Sequence, residues 1–260
     1  MTKWFHKCDK EWMVARQHCL TATDVKELLP VTKTGRKRVV GDEQYLKVLS
    51  RKLVNITDDD CVSTGAAARG HILEPYAIDL FNSLRQPDGR LVHWDDIVVV
   101  RPNHGAFGLG FSPDAVNIEP PLVTQMMSAT DELVAIGEIK SYSAENHLRC
   151  GFTPKERLEE RWQIATAMAV CQSIERAHLM FYNPSMEKEM YVVEYARKDL
   201  EDEIGMVRGT ELDWLKWIDS IGDLDEHFVI LGNRLDEEAI VERIVKSEAL
   251  APEGKKTVVK

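Results

Sequence analysis

Cysteine is scarce in this chain. Its 260 residues include five cysteines, and no two of them stand in the CxxC spacing of a metal or redox motif. An odd number without such spacing argues against a disulfide framework, a zinc site and an iron–sulfur cluster. Free thiols in a reducing compartment are the simplest interpretation.

Long apolar runs and excess positive charge are also missing. No window approaches the roughly 18 consecutive apolar residues that a membrane-spanning helix needs. The opening MTKWFHKCDKEW lacks the apolar core of a signal peptide. We therefore expect a soluble, cytoplasmic protein without a membrane partner. The formal net charge of −10 argues mildly against nucleic-acid binding, although a local basic patch is compatible with it.

What the sequence does contain, early on, is helical patterning. Residues 9–29 read as two helices with a break between them, the second starting near Thr23. Apolar residues recur at helical spacing over residues 42–54. A long helix is expected from about residue 66 to 84.

Strand patterns dominate after the turn at Pro87. Three segments have strand-like composition: residues 93–102, 108–119 and 133–143. A helix at 154–172, two strands around the turn NPSMEK and further helix from Arg197 follow. This order predicts one α/β domain over residues 1–247, with a mixed central sheet flanked by helices and a helical N-terminal layer. Residues 248–260 lack periodicity and are expected to be a disordered tail.

Three charged residues interrupt two of the predicted strands. Asp114 lies in GFSPDAV, and Glu138 and Lys140 stand two apart in AIGEIKSY. Residues i and i+2 of a strand share a face, so Glu138 and Lys140 point the same way. Asp114 joins them if the two strands are neighbours.

The chemistry of this charge cluster points to a metal ion. Clustered carboxylates repel each other unless a cation or a proton lies between them. Oxygen ligands suit Mg²⁺, and a metal-bound water is a nucleophile. The pattern therefore indicates phosphodiester hydrolysis, and its alternative is a solvated strand face.

These residues resemble the PD-(D/E)xK nuclease superfamily and, more narrowly, the phage lambda exonuclease family of YqaJ-type viral recombinases. The matching segments lie in family order from about Trp12 to about Ile221: RQHCLTATDV, RGHILEPYAIDLF, FSPDAV with GEIK, ERWQIATAM and FYNPSMEKEMYVVEYARKD. The resemblance implies a restriction-endonuclease-like core. It also implies Mg²⁺-dependent 5′→3′ degradation of one strand at duplex DNA ends, with Mn²⁺ as a substitute. Family members can form ring-shaped homotrimers and work with a single-strand annealing protein.

The resemblance also assigns roles to individual residues. Glu74, Asp114 and Glu138 would bind the metal, together with the backbone carbonyl of Ile139. Lys140 would position or activate the water, and Gln163 would help to orient Lys140 or that water. The residues expected to bind the 5′-phosphate are Arg16, Thr23, Ser112 and Arg149.

Several features qualify these assignments. Asn146 stands where the family has a second arginine, with Arg149 nearby, and residues 117–133 form a long insertion. Thr23 has the alternative role of a helix N-cap, and Arg16 that of a surface ion pair with Asp24 or Glu27. The basic loop is the best candidate for contact with the duplex backbone: Arg36, Lys37 and Arg38.

Two rival functions stay open. One is a RecB-like or CRISPR-associated nuclease of the same superfamily that cuts single strands or acts as an endonuclease. Such proteins often carry a four-cysteine iron–sulfur cluster, which this sequence lacks. The other is a catalytically silent DNA-binding protein that keeps the fold. An intact set of Asp114, Glu138 and Lys140 argues against it, because unneutralised clustered charge is unfavourable.

Overall fold

The computed structural model describes residues 13, 16–31, 36–53, 65–85, 90–93, 99–102, 107–117, 133–152 and 158–221. The chain divides into two compact units, with the boundary between Ile218 and Asp219. The predicted boundary at residue 247, the predicted tail and most of the 117–133 insertion lie outside the described residues.

The helices largely follow the sequence patterns. Their bounds are α1 Ala22–Leu28, α2 Asp42–Leu53, α3 Gly65–Ser83, α4 Ala144–Phe152, α5 Leu158–Val170 and α6 Glu201–Ser220, the last preceded by a 3₁₀ turn at Arg197–Asp199. The predictions of α2, α3, α5 and α6 are confirmed, and α3 continues through Pro75. Helix α4 was not predicted; it lies between the predicted strand at 133–143 and the predicted helix at 154–172. No helix within the described part of the chain has the length and apolarity needed to cross a membrane.

A mixed five-stranded sheet carries the candidate site. In their order across the sheet, its strands are β2 Val92–His93, β5 Ala115–Val116, β6 Ala135–Ser141, β7 Arg176–Tyr182 and β8 Met190–Ala196. Strands β6 and β7 are parallel, and the other neighbouring pairs are antiparallel. The predicted α/β fold with a mixed central sheet is therefore confirmed.

A second, three-stranded sheet corrects two strand predictions, because residues 93–102 and residues 108–119 each contribute to both sheets. It consists of β1 Cys19–Leu20, β4 Gly108–Phe111 and β3 Val99–Pro102, in the order β1-β4-β3. Residues 108–119, predicted as one strand, therefore divide between β4 in this sheet and β5 in the larger one. The chain changes sheets between them at Pro113, which has no N–H for a strand ladder.

Opposite faces of the larger sheet meet different helices. Ala77, Ile78 and Phe81 of α3 form an apolar cluster with Ala115 and Ile139 on one face. Side chains alternate along a strand, so the neighbours of Ile139 at positions 138 and 140 point to the other face. Helix α5 approaches that second face, and the polar site lies there.

Candidate active site

Asp114 and Glu138 are neighbours across two paired strands. Ala115 of β5 lies opposite Gly137 of β6 in antiparallel register. Asp114, one residue before Ala115, donates its N–H to the Gly137 carbonyl at 3.2 Å. Its Oδ2 accepts the backbone N–H of Ile139 at 2.8 Å. The structure thus brings together two carboxylates, Asp114 and Glu138, that are only 8% and 6% exposed.

One ammonium group and one side-chain amide converge on the same oxygen of Glu138. The Lys140 ammonium donates to Glu138 Oε1 at 2.6 Å, and the Gln163 side-chain amide from α5 donates to the same oxygen. Burial lowers the pKa of Lys140, but the carboxylates of Glu138 and Asp114 outweigh burial and raise that pKa above its ordinary value. Lys140 therefore remains a cation in this site and holds Glu138 in place.

A tyrosine and a glutamate continue this polar face. Tyr142 shares the β6 face with Glu138 and Lys140, and its hydroxyl donates to Glu160, a buried carboxylate one turn before Gln163 on α5. Tyr142 and Glu160 were not among the predicted site residues. The i+2 spacing from Lys140 and the i−3 spacing from Gln163 are the signals that point to them.

Glu74 lies in different surroundings from those predicted. Its carboxylate contacts His71 Nδ1 at 3.0 Å and His93 Nε2 at 3.4 Å. Within the described ranges, no group of three or more His, Cys, Asp and Glu side chains is arranged to hold a metal ion. The predicted convergence of Glu74 with Asp114 and Glu138 on one ion is therefore not observed. The reason is that α3 packs on the apolar face of the sheet, where Glu74 meets two imidazoles.

The remaining donors still suit a hard cation. In a strand, the N–H and C=O of one residue point to the same side, so the Ile139 carbonyl faces β5 as its N–H does. Asp114, Glu138 and this carbonyl are all oxygen donors at one edge. Mg²⁺ is commonly bound through one or two carboxylates, with water and substrate oxygens completing its shell. The donor set therefore fits Mg²⁺ without Glu74.

A pocket of about 60 Å³ opens beside Glu138 and Gln163. The predicted phosphate-binding residues Arg16, Thr23 and Ser112 all line it. Within the described part of the chain, the buried Ser112 hydroxyl has no hydrogen-bond partner. An unsatisfied buried hydroxyl is unfavourable, and a ligand in the pocket would satisfy it.

The start of α1 corrects the alternative role of Thr23. The N-cap of α1 is Thr21, and not Thr23. The Thr21 backbone N–H and hydroxyl both donate to Asp24 Oδ2, at 2.9 and 2.8 Å. Thr23 is thus not needed as a cap, and it lines the pocket.

The other residues predicted to contact DNA are spread over the surface. The Arg38 guanidinium donates to the carbonyls of Lys26, Glu27 and Leu29 at 2.6–2.9 Å, so it anchors the end of α1. The contact of Arg38 with DNA stays a prediction beside this structural role. Arg36 and Lys37 are exposed on the same loop. Arg149 is an exposed α4 residue that pairs with Glu145 at 2.6 Å.

Comparison with solved structures finds the same fold in an exonuclease. The crystal structure of LHK-Exo in complex with dAMP superposes with a TM-score of 0.58 at 17% sequence identity, over 85% of this chain and 100% of that chain. A structure of this alkaline exonuclease from Laribacter hongkongensis gives a TM-score of 0.57 at 16% identity, with the same coverage. No protein-family model and no curated protein matches the sequence. The resemblance to lambda-type exonucleases is thereby confirmed at the level of the fold.

Proposed function

We propose that this chain is a metal-dependent deoxyribonuclease that degrades linear duplex DNA from its 5′ ends. The observation that carries the proposal is the arrangement of Asp114, Glu138, Lys140 and Gln163 on one sheet edge beside a phosphate-sized pocket. The fold shared with an alkaline exonuclease supports it. The role in phage-type recombination or repair comes from the sequence resemblance.

The lining of the pocket supports the proposed 5′ polarity. Arg16 can donate two parallel hydrogen bonds to a phosphate, and the hydroxyls of Thr23 and Ser112 add donors. Because Glu138 and Gln163 line the same pocket, a terminal 5′-phosphate held there leaves the following phosphodiester beside the carboxylates. Cleavage of that phosphodiester would remove the nucleotide at the 5′ end.

The metal proposed here is Mg²⁺, with Mn²⁺ as a substitute. When bound by Asp114, Glu138 and the Ile139 carbonyl, it would polarise the phosphate and lower the pKa of a bound water. The chain prepares these ligands in the folded protein. The Ile139 N–H orients Asp114, and Lys140 with Gln163 orients Glu138.

Lys140 has a defined part in the hydrolysis. The water gives up one proton and its oxygen forms a new bond to phosphorus, the bond from phosphorus to O3′ breaks, and O3′ takes up one proton, so that one molecule of water is consumed. A mononucleotide leaves, and the shortened strand keeps a new 5′-phosphate. The Lys140 ammonium, 2.6 Å from Glu138 Oε1, stabilises negative charge on the phosphoryl group.

A nuclease assay tests this proposal. Wild type should release mononucleotides from 5′-phosphorylated linear duplex in Mg²⁺ and not in EDTA, and Asp114→Ala should release none. Asp79→Ala, which removes an exposed carboxylate on α3, serves as the matched control. Loss of a closed circular duplex would instead favour the RecB-like or endonuclease alternative. EDTA-insensitive release would contradict the metal role.

The second candidate is a protein that binds DNA ends without hydrolysing them. The observation in its favour is that the described residues contain no three-ligand metal group. Binding of duplex ends by wild type and Lys140→Ala alike, without Mg²⁺-dependent release, would support it.

The partners implied by the resemblance are part of the proposal. They are a homotrimeric ring around DNA and a single-strand annealing protein. Light scattering of the purified protein tests the ring, with a molar mass near three times 29.6 kDa expected.

A further inference from the structure

A buried ion pair lies behind the pocket and takes no part in the proposed chemistry. As whole residues, Lys52 of α2 is 5% exposed and Asp24 of α1 is 4% exposed. The Lys52 Nζ and Asp24 Oδ2 atoms are 2.5 Å apart. Burying two charges carries a large desolvation penalty, so a buried pair is weak evidence for stability alone. The contacts of this pair indicate what else it does.

Both partners hold the backbone of the pocket wall. Lys52 Nζ donates to the backbone carbonyl of Arg16 at 3.1 Å. Asp24 Oδ2 accepts the N–H and the hydroxyl of Thr21. Arg16 and Thr21 both line the pocket. The pair therefore fastens residues 16–21 at each end, including strand β1 between them.

The pair also keeps the pocket wall free of uncompensated negative charge. Asp24 has a second partner, because Arg51 Nη2 lies 2.9 Å from Asp24 Oδ1. Burial raises the pKa of Asp24, but the charge of Lys52 and the hydrogen bonds from Lys52 and Thr21 lower it overall. Asp24 is therefore ionised and neutralised, and it does not repel a phosphate next to Thr21.

We propose that Lys52 and Asp24 are positioning residues that set the selectivity of this pocket for a 5′-phosphate monoester on a DNA end. The proposal rests on the proposed function only in taking the pocket as the end-phosphate site. Lys52 acts through the Arg16 backbone, and Asp24 acts through Thr21. Neither side chain needs to touch the DNA.

Equilibrium binding in EDTA tests this inference without hydrolysis. Fluorescence anisotropy compares a labelled duplex that carries a 5′-phosphate with the same duplex carrying a 5′-hydroxyl. In Lys52→Met, affinity for the phosphorylated end should fall by about tenfold, as expected for one weakened charge-assisted contact. Affinity for the hydroxyl end should change by less than about twofold.

The network offers a matched control. Glu27→Gln removes a carboxylate that pairs with Lys47 and Arg51 but does not line the pocket, so the preference for phosphate should be unchanged. In the hydrolysis assay, Lys52→Met should raise KM for phosphorylated ends by about tenfold. Its kcat should stay within about twofold of wild type.

The inference stays testable if Lys52→Met has a folding defect. If Lys52→Met does not fold, the double variant Asp24→Asn with Lys52→Met removes both charges and should fold, and it should show the same loss of phosphate preference. A folded variant with the wild-type preference overturns the inference. Wild type without any phosphate preference also overturns it, while hydrolysis by wild type and Asp114→Ala decides the nuclease function separately.

Discussion

Two lysine–carboxylate pairs in this molecule have nearly the same length and different surroundings. Lys140 and Glu138 are 2.6 Å apart on β6, with the Lys140 side chain 24% exposed. Lys52 and Asp24 are 2.5 Å apart between α2 and α1, with both side chains 6% exposed. The first pair borders an open pocket, and the second is enclosed. The two pairs therefore differ in whether a ligand can reach them. The accessible pair belongs to the candidate active site, and the enclosed pair supports the pocket wall.

The largest effect on stability is expected from removing one partner of the enclosed pair. Lys52→Met leaves Asp24 ionised in the interior with Arg51 as its remaining cationic partner, which should lower the free energy of unfolding by up to about 3–5 kcal/mol. Urea unfolding followed by circular dichroism measures the change. The double variant with Asp24→Asn should recover part of it. An unchanged midpoint in Lys52→Met would show that the pair is better solvated than its 6% exposure indicates.

Opening the pair beside the pocket should affect the rate instead. Lys140→Met removes the cation proposed to stabilise the phosphoryl group, so kcat on linear duplex should fall about 10²–10³-fold. The midpoint of urea unfolding should fall less than in Lys52→Met, since the Lys140 side chain is 24% exposed and Gln163 still holds Glu138. A full rate in Lys140→Met would contradict its proposed role.

A third ionisable group shows burial that its counter-ion does not offset. Burial lowers the pKa of His178 to about 4, against 6.5 for an ordinary histidine. Glu194 Oε2 lies 3.6 Å from its Nδ1 and favours protonation, but burial outweighs it, and the charges of Arg85 and Arg176 oppose protonation. Between pH 6.5 and 4, His178 is mostly protonated in the unfolded chain and mostly neutral in the folded chain. Stability should therefore fall as pH decreases through this range, by about 2 kcal/mol at pH 5.

Unfolding at pH 7 and pH 5 checks this expectation. His178→Phe lacks the ionisable group, so its loss of stability between the two pH values should be smaller than that of wild type by the His178 contribution. An equal loss in both proteins would assign the effect to other groups.

The smallest effect is expected from the amide that supports Glu138. Gln163→Leu removes one of two donors to Glu138 Oε1 and leaves Lys140 in place. We expect kcat to fall by about tenfold, as for the loss of one hydrogen bond to a charged group. Gln172→Leu, at an exposed position after α5, should match wild type. A larger loss than in Lys140→Met would reverse the ranking of the two donors.

Local patterns were sufficient for much of the fold and for part of the site. Helical periodicity located α2 and α6, and the spacing of Glu138 and Lys140 placed both on one face of a strand. The place of Asp114 beside Glu138 was conditional on strand pairing, and the register of Ala115 with Gly137 supplies that pairing. These successes share one physical basis, since side-chain direction in helices and strands repeats over a few residues.

Contacts between distant segments were decided by the tertiary structure alone. Arg38 holds the end of α1, Lys52 holds the carbonyl of Arg16 from 36 residues away, and Glu74 meets His93. The break of residues 108–119 into two sheets belongs to the same class. Periodicity specifies which face of an element is apolar, but the partner of each polar group depends on which elements pack together. The sequence alone therefore determined the residue types of the site, while packing determined which of them meet.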